Sequence, residues 1–454
     1  MLDLNVIVKA YDIRGTYPDQ IDADTCQALG VGFAAFIRDT EPSTTEVVIA
    51  RDMRPSGPEL VDAFANGVQS MGLDVLDIGM GSTDLIYFAS GSLGMPGVMF
   101  TASHNPAGYN GIKLCRSGAA PIGEDSGLSF IKAVAERGAD PASSAGVRRT
   151  DDLLAAFADH VRSFIDTDGL RPLKVVADTA NGMGGLVVPA AFEGLPFDLE
   201  VLFGELDGTF PNHPADPIQI ENLADLRARV LETGADIGLA FDGDADRVFL
   251  VDEKAEPVSG SLTTALLAGA ILKDNPGRAV VYNLICSKVV PEVIAENGGR
   301  AIRSRVGHSF IKQIMATEDG IFGGEHSAHY YFSRNYRADS GLIASMMVLE
   351  QLSRSGGTLS ELLAPLKRYE ASGEINTRVS DAHAVIEQVA EHYRQQPGAQ
   401  LDRLDGLTVD AGDWWFNLRP SNTEPLLRLN LEAADQAAVE ARVAEVQAVM
   451  ADAD

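Results

Sequence analysis

At 454 residues the chain is too long for one hydrophobic core, and at about 150 residues per domain it points to roughly three domains, with two to four in range. Hydrophobic residues at 45% and charged residues at 22% exclude a mainly disordered or collagen-like chain, and no run approaches the ~18 apolar residues of a membrane span. With 36 Lys and Arg against 65 Asp and Glu, the net charge of −29 argues against nucleic-acid or anionic-membrane binding through a general basic surface.

That balance leaves room for a small anionic ligand, because salt screens surface charge beyond about 8 Å and a local basic cluster sets the sign inside a cleft. The start, Met1-Leu2-Asp3-Leu4-Asn5, lacks a basic segment followed by an apolar one, so neither secretion nor membrane insertion is expected. Cys26, Cys115 and Cys286 stand far apart without a CxxC pair, which fits a reducing compartment and the cytoplasm.

Short Val- and Ile-rich runs alternate with stretches of helical spacing, which predicts the α/β class with largely parallel, covered sheets. In chain order, a strand over 46–50 (EVVIA) precedes a helix over 58–71, a strand over 73–78, and a strand over 97–100 that runs into Thr101-Ala102-Ser103. A second unit begins at 173–177 (LKVVA) and continues through 199–203, a helix over 223–232 and the apolar run 237–241. A third opens on a helix over 262–272, followed by a strand over 279–282 and a helix near 289–296. Composition turns small or polar at 138–149, 252–257 and 367–373, which divides the chain into domains 1–148, 149–253, 254–367 and 368–454. The last reads as a strand over 374–379, a helix over 382–394, three short strand-like runs between 407 and 431, and a closing helix. Its strands cluster instead of alternating, so three mixed α/β sheet domains are followed by an α+β domain on an antiparallel sheet.

Four segments carry chemistry. In Asp242-Gly243-Asp244-Ala245-Asp246-Arg247, three carboxylates at alternate positions, separated by small residues, can turn oxygens toward one point, and such a set suits Mg²⁺. The apolar run before it places it at the carboxyl end of a buried strand, where open α/β sheets form binding crevices. A solvated acidic turn is the plain alternative; an EF-hand is excluded because Arg247 stands where that loop needs glycine. Thr101-Ala102-Ser103-His104-Asn105-Pro106, with Tyr109-Asn110-Gly111-Ile112-Lys113 after it, is turn chemistry that would present the Ser103 hydroxyl as nucleophile or phosphate carrier, or an ordinary turn. Arg419-Pro420-Ser421-Asn422-Thr423-Glu424-Pro425 offers an Arg fork, hydroxyls and an amide to phosphate oxygens, or a plain hairpin connection. Gly323-Gly324-Glu325-His326-Ser327-Ala328-His329 alternates polar groups able to bond sugar hydroxyls, or is a loop with incidental histidines.

Together these segments, one in each predicted domain, resemble the α-D-phosphohexomutase superfamily, and within it the phosphomannomutase/phosphoglucomutase branch. The resemblance runs from Lys9-Ala10-Tyr11-Asp12-Ile13-Arg14-Gly15 through TASHNP (101–106), DGDADR (242–247), VGHSFIK (306–312) and GEHSAH (324–329) to RPSNTEP (419–425), in order and spacing. It implies four domains around a central cleft and an isomerase that moves a phosphoryl group between Ser103 and a hexose phosphate. A hexose 1,6-bisphosphate would serve as intermediate and activator. By the same resemblance Ser103, Asp242, Asp244 and Asp246 would hold Mg²⁺. Ser103, His104, Lys113 and Arg247 would form the transfer site, with Lys113 as a proton-transfer participant. Tyr11 and Arg14 would line the cleft, Glu325 and Ser327 would bind sugar hydroxyls with Gly307, His308 and His329 nearby, and Arg419, Ser421, Asn422 and Thr423 would grip the distal phosphate. Mannose phosphates are the expected substrates, with glucose phosphates second; a metal-dependent sugar phosphatase and a noncatalytic sugar-phosphate binder are the alternatives. Small-molecule hexose phosphates are the expected partners, with no nucleic acid and no membrane, and monomer and homodimer are both open.

Two positions depart from that pattern. Ile285 stands where relatives carry lysine, leaving a phosphate contact absent or supplied by Lys288, and His326 stands where others have Met or Gln, as a sugar contact or a filler behind the site. His160, His213, His383 and His392 have no motif around them and no assigned role.

Overall fold

The structure, a computed structural model, describes residues 3–9, 11–420 and 426–453. Among these residues the chain forms four sheets. The first combines parallel strands, among them Glu46–Arg51, Asp74–Met80 and Gly97–Phe100, with an antiparallel flank that includes Ile13–Thr16 and Tyr109–Arg116. The second and third repeat the mixture, and in the fourth every paired strand is antiparallel. That is the predicted succession of three mixed α/β domains and one α+β domain. Two short strands lie across the expected domain limits: Arg148–Thr150 pairs in the first sheet, and Pro257–Val258 pairs in the second.

The expected segments occur as elements, including the helices Gly57–Ser70, Ala224–Thr233, Gly260–Asp274, Val289–Glu296 and Ala382–Arg394. Strands such as Ile237–Phe241 and Gly97–Phe100 are buried along their whole length, the consequence of a sheet covered on both faces.

One topological position recurs in all three mixed sheets. Gly97–Phe100, Ile237–Phe241 and Gly320–Gly324 each pair in parallel on one side and antiparallel on the other with the strand that follows in sequence. The connections leaving their carboxyl ends are the serine segment, the acidic segment and the GEHSAH segment. In the fourth sheet Trp415–Pro420 and Leu426–Ala433 pair antiparallel around the RPSNTEP segment. The first three chemical segments thus leave equivalent strand ends, launched from apolar floors, whereas the fourth follows a strand paired antiparallel on both sides.

The fourth domain has a hydrophobic cluster of its own, built on residues such as Tyr393, Phe416, Leu429 and Val446, whereas one continuous cluster runs from the first domain through the second and third. Polar contacts tie it to the third domain: Lys288 reaches Asp410, Val306 N–H donates to Asp405, and Arg303 pairs with Asp402. No described helix is long and apolar enough to cross a membrane.

Candidate active site

Ser103 and the acidic triplet, 139 residues apart between Ser103 and Asp242, meet at the junction of the first two domains: Ser103 Oγ donates to Asp242 Oδ2 at 2.8 Å. The loops approach so closely that a Cβ on Gly243 would lie 2.5 Å from the Ser103 carbonyl oxygen, which is why glycine separates the first two aspartates. Ser103 itself has φ 51°, the left-handed region that side-chain-bearing residues seldom occupy.

All three aspartates are essentially buried, and one oxygen from each lies within 4.8 Å of the others. Asp244 Oδ2 accepts from Thr83 Oγ1 at 2.5 Å and from Lys113 Nζ at 2.7 Å; Asp246 Oδ2 accepts from the same ammonium at 2.7 Å. The second oxygens, Asp244 Oδ1 and Asp246 Oδ1, are buried with no hydrogen-bond partner. Buried oxygens left bare beside a third carboxylate are an arrangement that a hard divalent cation satisfies, so the residues present fit the expected metal. Burial and the two neighbouring carboxylates push the Asp242 carboxyl well above its ordinary range. Burial opposes the Lys113 charge, but Asp244 and Asp246 outweigh it and lift the ammonium, which holds its proton.

Arg247 joins the serine to the same carboxylate. Its Nη2 donates to Ser103 Oγ at 3.1 Å and to His104 Nδ1 at 2.7 Å, and its Nε faces Asp242 Oδ2 at 3.3 Å. Because a guanidinium only donates, His104 Nδ1 is the acceptor and the ring is neutral. The Arg247 charge, with burial, pushes that imidazole down to about 2. An unfolded histidine protonates near pH 6.5, so between those values the unfolded chain binds one proton more than the native one and stability rises with pH, by at most about 1.4 kcal/mol per unit. His104→Asn is expected to flatten the decline of thermal stability from about pH 6 to about pH 4 relative to the unaltered chain. Parallel melting-temperature curves for the two proteins would contradict this.

The remaining expected residues surround this centre. Arg14 donates to Asn105 Oδ1 at 2.5 Å, which ties the N-terminal motif to the serine loop, and its buried Nε has no partner. His329 Nε2 lies 3.7 Å from Asp246 Oδ1, its Nδ1 is 3.0 Å from Ser327 Oγ, and its backbone bridges to Arg247. Buried Glu325 accepts from Tyr331 OH at 2.5 Å and from Asn283 Nδ2 at 3.1 Å. Tyr11 packs edge-on against His308 at 5.4 Å, and a Cβ on Gly307, whose φ is 132°, would meet the Tyr11 hydroxyl. Burial, with the charge of Lys312, pushes the His308 imidazole down to about 3. Arg419 is held on Glu374 at 3.1 Å, close enough for its charge to act at Tyr11 and His326. Ser421, Asn422 and Thr423 lie outside the described residues.

Lys288 donates to Asp410 Oδ1 at 2.8 Å and to the Gly412 carbonyl at 2.7 Å, so two of its three N–H donors tie the fourth domain to the third. Ile285 and His326 line one cavity of about 420 Å³ between those domains, with His326 Nδ1 3.5 Å from Ser261 Oγ. His160 faces Asn335 and His213 faces Asp178. Thr83 was missed by sequence reasoning; its only signal is the Ser-Thr-Asp start of a helix, which reads as a cap.

Sequence models of phosphoglucomutase/phosphomannomutase match the chain in four consecutive parts: alpha/beta/alpha domain I over 5–139, domain II over 155–256, domain III over 259–369 and the C-terminal domain over 374–449. The chain belongs to the phosphoglucomutase/phosphomannomutase family. Among its relatives in the family, a protein of Xanthomonas campestris named phosphohexose mutases is 41% identical over 444 residues, which cover 96% of this chain and 97% of that one. A phosphomannomutase of Escherichia coli K12 is 40% identical over 445 residues, 96% of each. The crystal structure of a phosphoglucomutase/phosphomannomutase family protein from Burkholderia thailandensis superposes with a TM-score of 0.90 at 32% identity, covering 100% of this chain and 97% of that one. A phosphohexomutase is accordingly the enzyme class to which the buried serine, the triad and the cationic side chains belong.

Proposed function

We propose that the protein is a phosphomannomutase that interconverts mannose 1-phosphate and mannose 6-phosphate, with glucose phosphates as second substrates, through a phosphorylated Ser103 and a hexose 1,6-bisphosphate intermediate. The observation that carries this reading is the contact of one serine hydroxyl with a metal-type carboxylate at 2.8 Å and a guanidinium at 3.1 Å. The substrate choice is supported by the name phosphomannomutase on relatives at about 40% identity over nearly their whole length.

In the first half of the reaction the bond between Ser103 Oγ and phosphorus breaks, a bond from the free sugar hydroxyl to phosphorus forms, and the proton lost by that hydroxyl is balanced by one gained at the released Ser103 Oγ. After the bisphosphate turns round, the other phosphoryl group returns to Ser103 and an isomerised hexose phosphate leaves. Transfer of this kind depends on in-line positioning and on charge stabilisation. Arg247, Lys113 and Arg14 bring cations to a chain that is acidic overall. Lys113 Nζ, charged beside Asp244 and Asp246, is the group proposed to donate a proton toward the leaving serine oxygen, and neutral His104 buttresses Arg247. Asp242, Asp244, Asp246 and an oxygen on Ser103 would hold Mg²⁺, which supplies neutralisation of charge on the transferred group. Glu325, Ser327 and His329, with Gly307 and His308, would take the sugar hydroxyls, and Arg419 with Ser421, Asn422 and Thr423 the distal phosphate. Tyr11 would close the cleft between the first and third domains. The separate core and polar seam of the fourth domain support a swing that shuts out water and then reopens. Three buried free thiols support a cytoplasmic setting.

The test is conversion of mannose 1-phosphate and of glucose 1-phosphate by the purified protein, with Mg²⁺ and a trace of hexose 1,6-bisphosphate. Mannose 1-phosphate is expected to isomerise faster, without matching release of inorganic phosphate. Stoichiometric phosphate release would mark a phosphatase, and binding without turnover a noncatalytic protein.

A further inference from the structure

Among the described residues Arg54 heads the largest fully buried side chains, and it belongs to none of the segments above. It follows the strand Glu46–Arg51 beside Asp52, and both are 0% exposed. A guanidinium has five N–H donors in one plane, and here each is used. Nε donates to Asp52 Oδ2 at 3.1 Å; Nη1 donates to the carbonyls of Pro106 at 2.8 Å and Tyr109 at 2.9 Å; Nη2 donates to the carbonyls of Ser103 at 2.9 Å and Asn105 at 2.7 Å. Four of the five acceptors are main-chain oxygens of the one loop that presents Ser103.

Asp52 provides a second arm. The Thr101 hydroxyl bonds to its carboxylate, and Thr101 Oγ1 accepts from the Ser103 N–H at 2.9 Å. Ser103 is therefore anchored at its N–H through Thr101 and at its carbonyl through Arg54, both leading back to Asp52. From the second domain, Phe210 lies against the guanidinium at 5.2 Å, and Gly208 approaches so closely that a Cβ there would stand 2.6 Å from the Arg54 Cα.

We infer that Arg54, braced by Asp52, is a positioning residue for phosphoryl transfer: it holds the serine loop so that Ser103 keeps its left-handed backbone and its oxygen stays aimed at the carboxylate triad. The inference rests on the phosphoserine reading above. A buried ion pair is a poor source of stability compared with apolar side chains of the same volume, whereas a fork that gathers four carbonyls of one loop fixes a geometry. Lysine offers a single charged point with three donors and cannot reproduce that fork.

The test is Arg54→Lys in the full chain, checked for folding by its melting curve. The turnover number is expected to fall by about 100-fold, the scale of a misplacement near 1 Å. The dissociation constant for hexose phosphate should stay within about threefold, because the sugar and distal-phosphate residues are untouched. Amide hydrogen exchange over residues 101–110 should quicken by about tenfold or more, and not elsewhere. Turnover within about threefold of the unaltered chain, or unchanged exchange in that segment, would overturn the inference. If Arg54→Lys does not fold, Asp52→Asn carries the same readouts, with a loss of about tenfold expected and the same unchanged values contradicting it. Phosphate uptake by the unaltered chain keeps the two ideas apart: a Ser103 that never takes phosphate defeats the phosphoserine reading, and the exchange measurement still decides the clamp.

Discussion

Ser103→Ala is expected to lower mutase turnover by at least about 10⁴-fold, the scale on which removal of a covalent nucleophile acts, while hexose phosphates still bind. The hydroxyl is the one group of its loop that touches both the triad and Arg247, through Asp242 at 2.8 Å and Arg247 at 3.1 Å. Alanine keeps the backbone that Thr101 holds through the Ser103 N–H. It also fits a site that is only 1% exposed, so the fold should persist. Glu325, His329 and Arg419 keep their partners and with them their positions. A coupled mutase assay and calorimetric titration with mannose 1-phosphate check the two halves. Turnover within about tenfold of the unaltered chain would remove Ser103 from the chemistry.

The second large effect concerns the triad. Dialysis against a chelator is expected to silence the protein and Mg²⁺ to restore it. Asp244→Asn is expected to remain about 10³-fold slower at saturating Mg²⁺, since a bound metal contributes several kcal/mol to charge stabilisation and each factor of ten corresponds to about 1.4 kcal/mol. Lys113 and Arg247 are the two cations paired with these three carboxylates. Asp244 Oδ1 and Asp246 Oδ1 remain buried without a hydrogen-bond partner. The asparagine variant removes one charge and also weakens the anchor of Lys113, so binding of the metal and retention of the proton suffer together. Undiminished turnover in chelator, or an Asp244→Asn variant as active as the unaltered chain, would contradict this.

How much of this was legible in advance differs from residue to residue. The run over 237–241 was readable as a buried strand because five apolar or small residues precede three alternating carboxylates, and the structure buries all five. Its nearness to Ser103 was not readable from spacing, since a separation of 139 residues carries no distance information; the resemblance brought those two segments together on paper. Thr83 and Arg54 escaped because each looks locally ordinary, a helix-cap neighbour and a polar residue after a strand, and acquires its role only when another segment folds over it. The tie of Lys288 to Asp410 and the Gly412 carbonyl was hidden for the same reason, since its partners come from the fourth domain and leave no local signal. The equivalent placement of the first three chemical segments at hairpin connections was also invisible, because the segments share no sequence and the equivalence lies in strand pairing.

The central claim is that one hydroxyl accepts, stores and returns a phosphoryl group. Its most direct test is intact-mass and peptide mapping of the unaltered chain and of Ser103→Ala after incubation with Mg²⁺ and hexose 1,6-bisphosphate, followed by a chase with mannose 1-phosphate. One phosphoryl group per chain, located on Ser103, lost to the sugar in the chase and absent from the variant, is the predicted result. A chain that isomerises mannose 1-phosphate while Ser103 stays unmodified throughout would contradict the account.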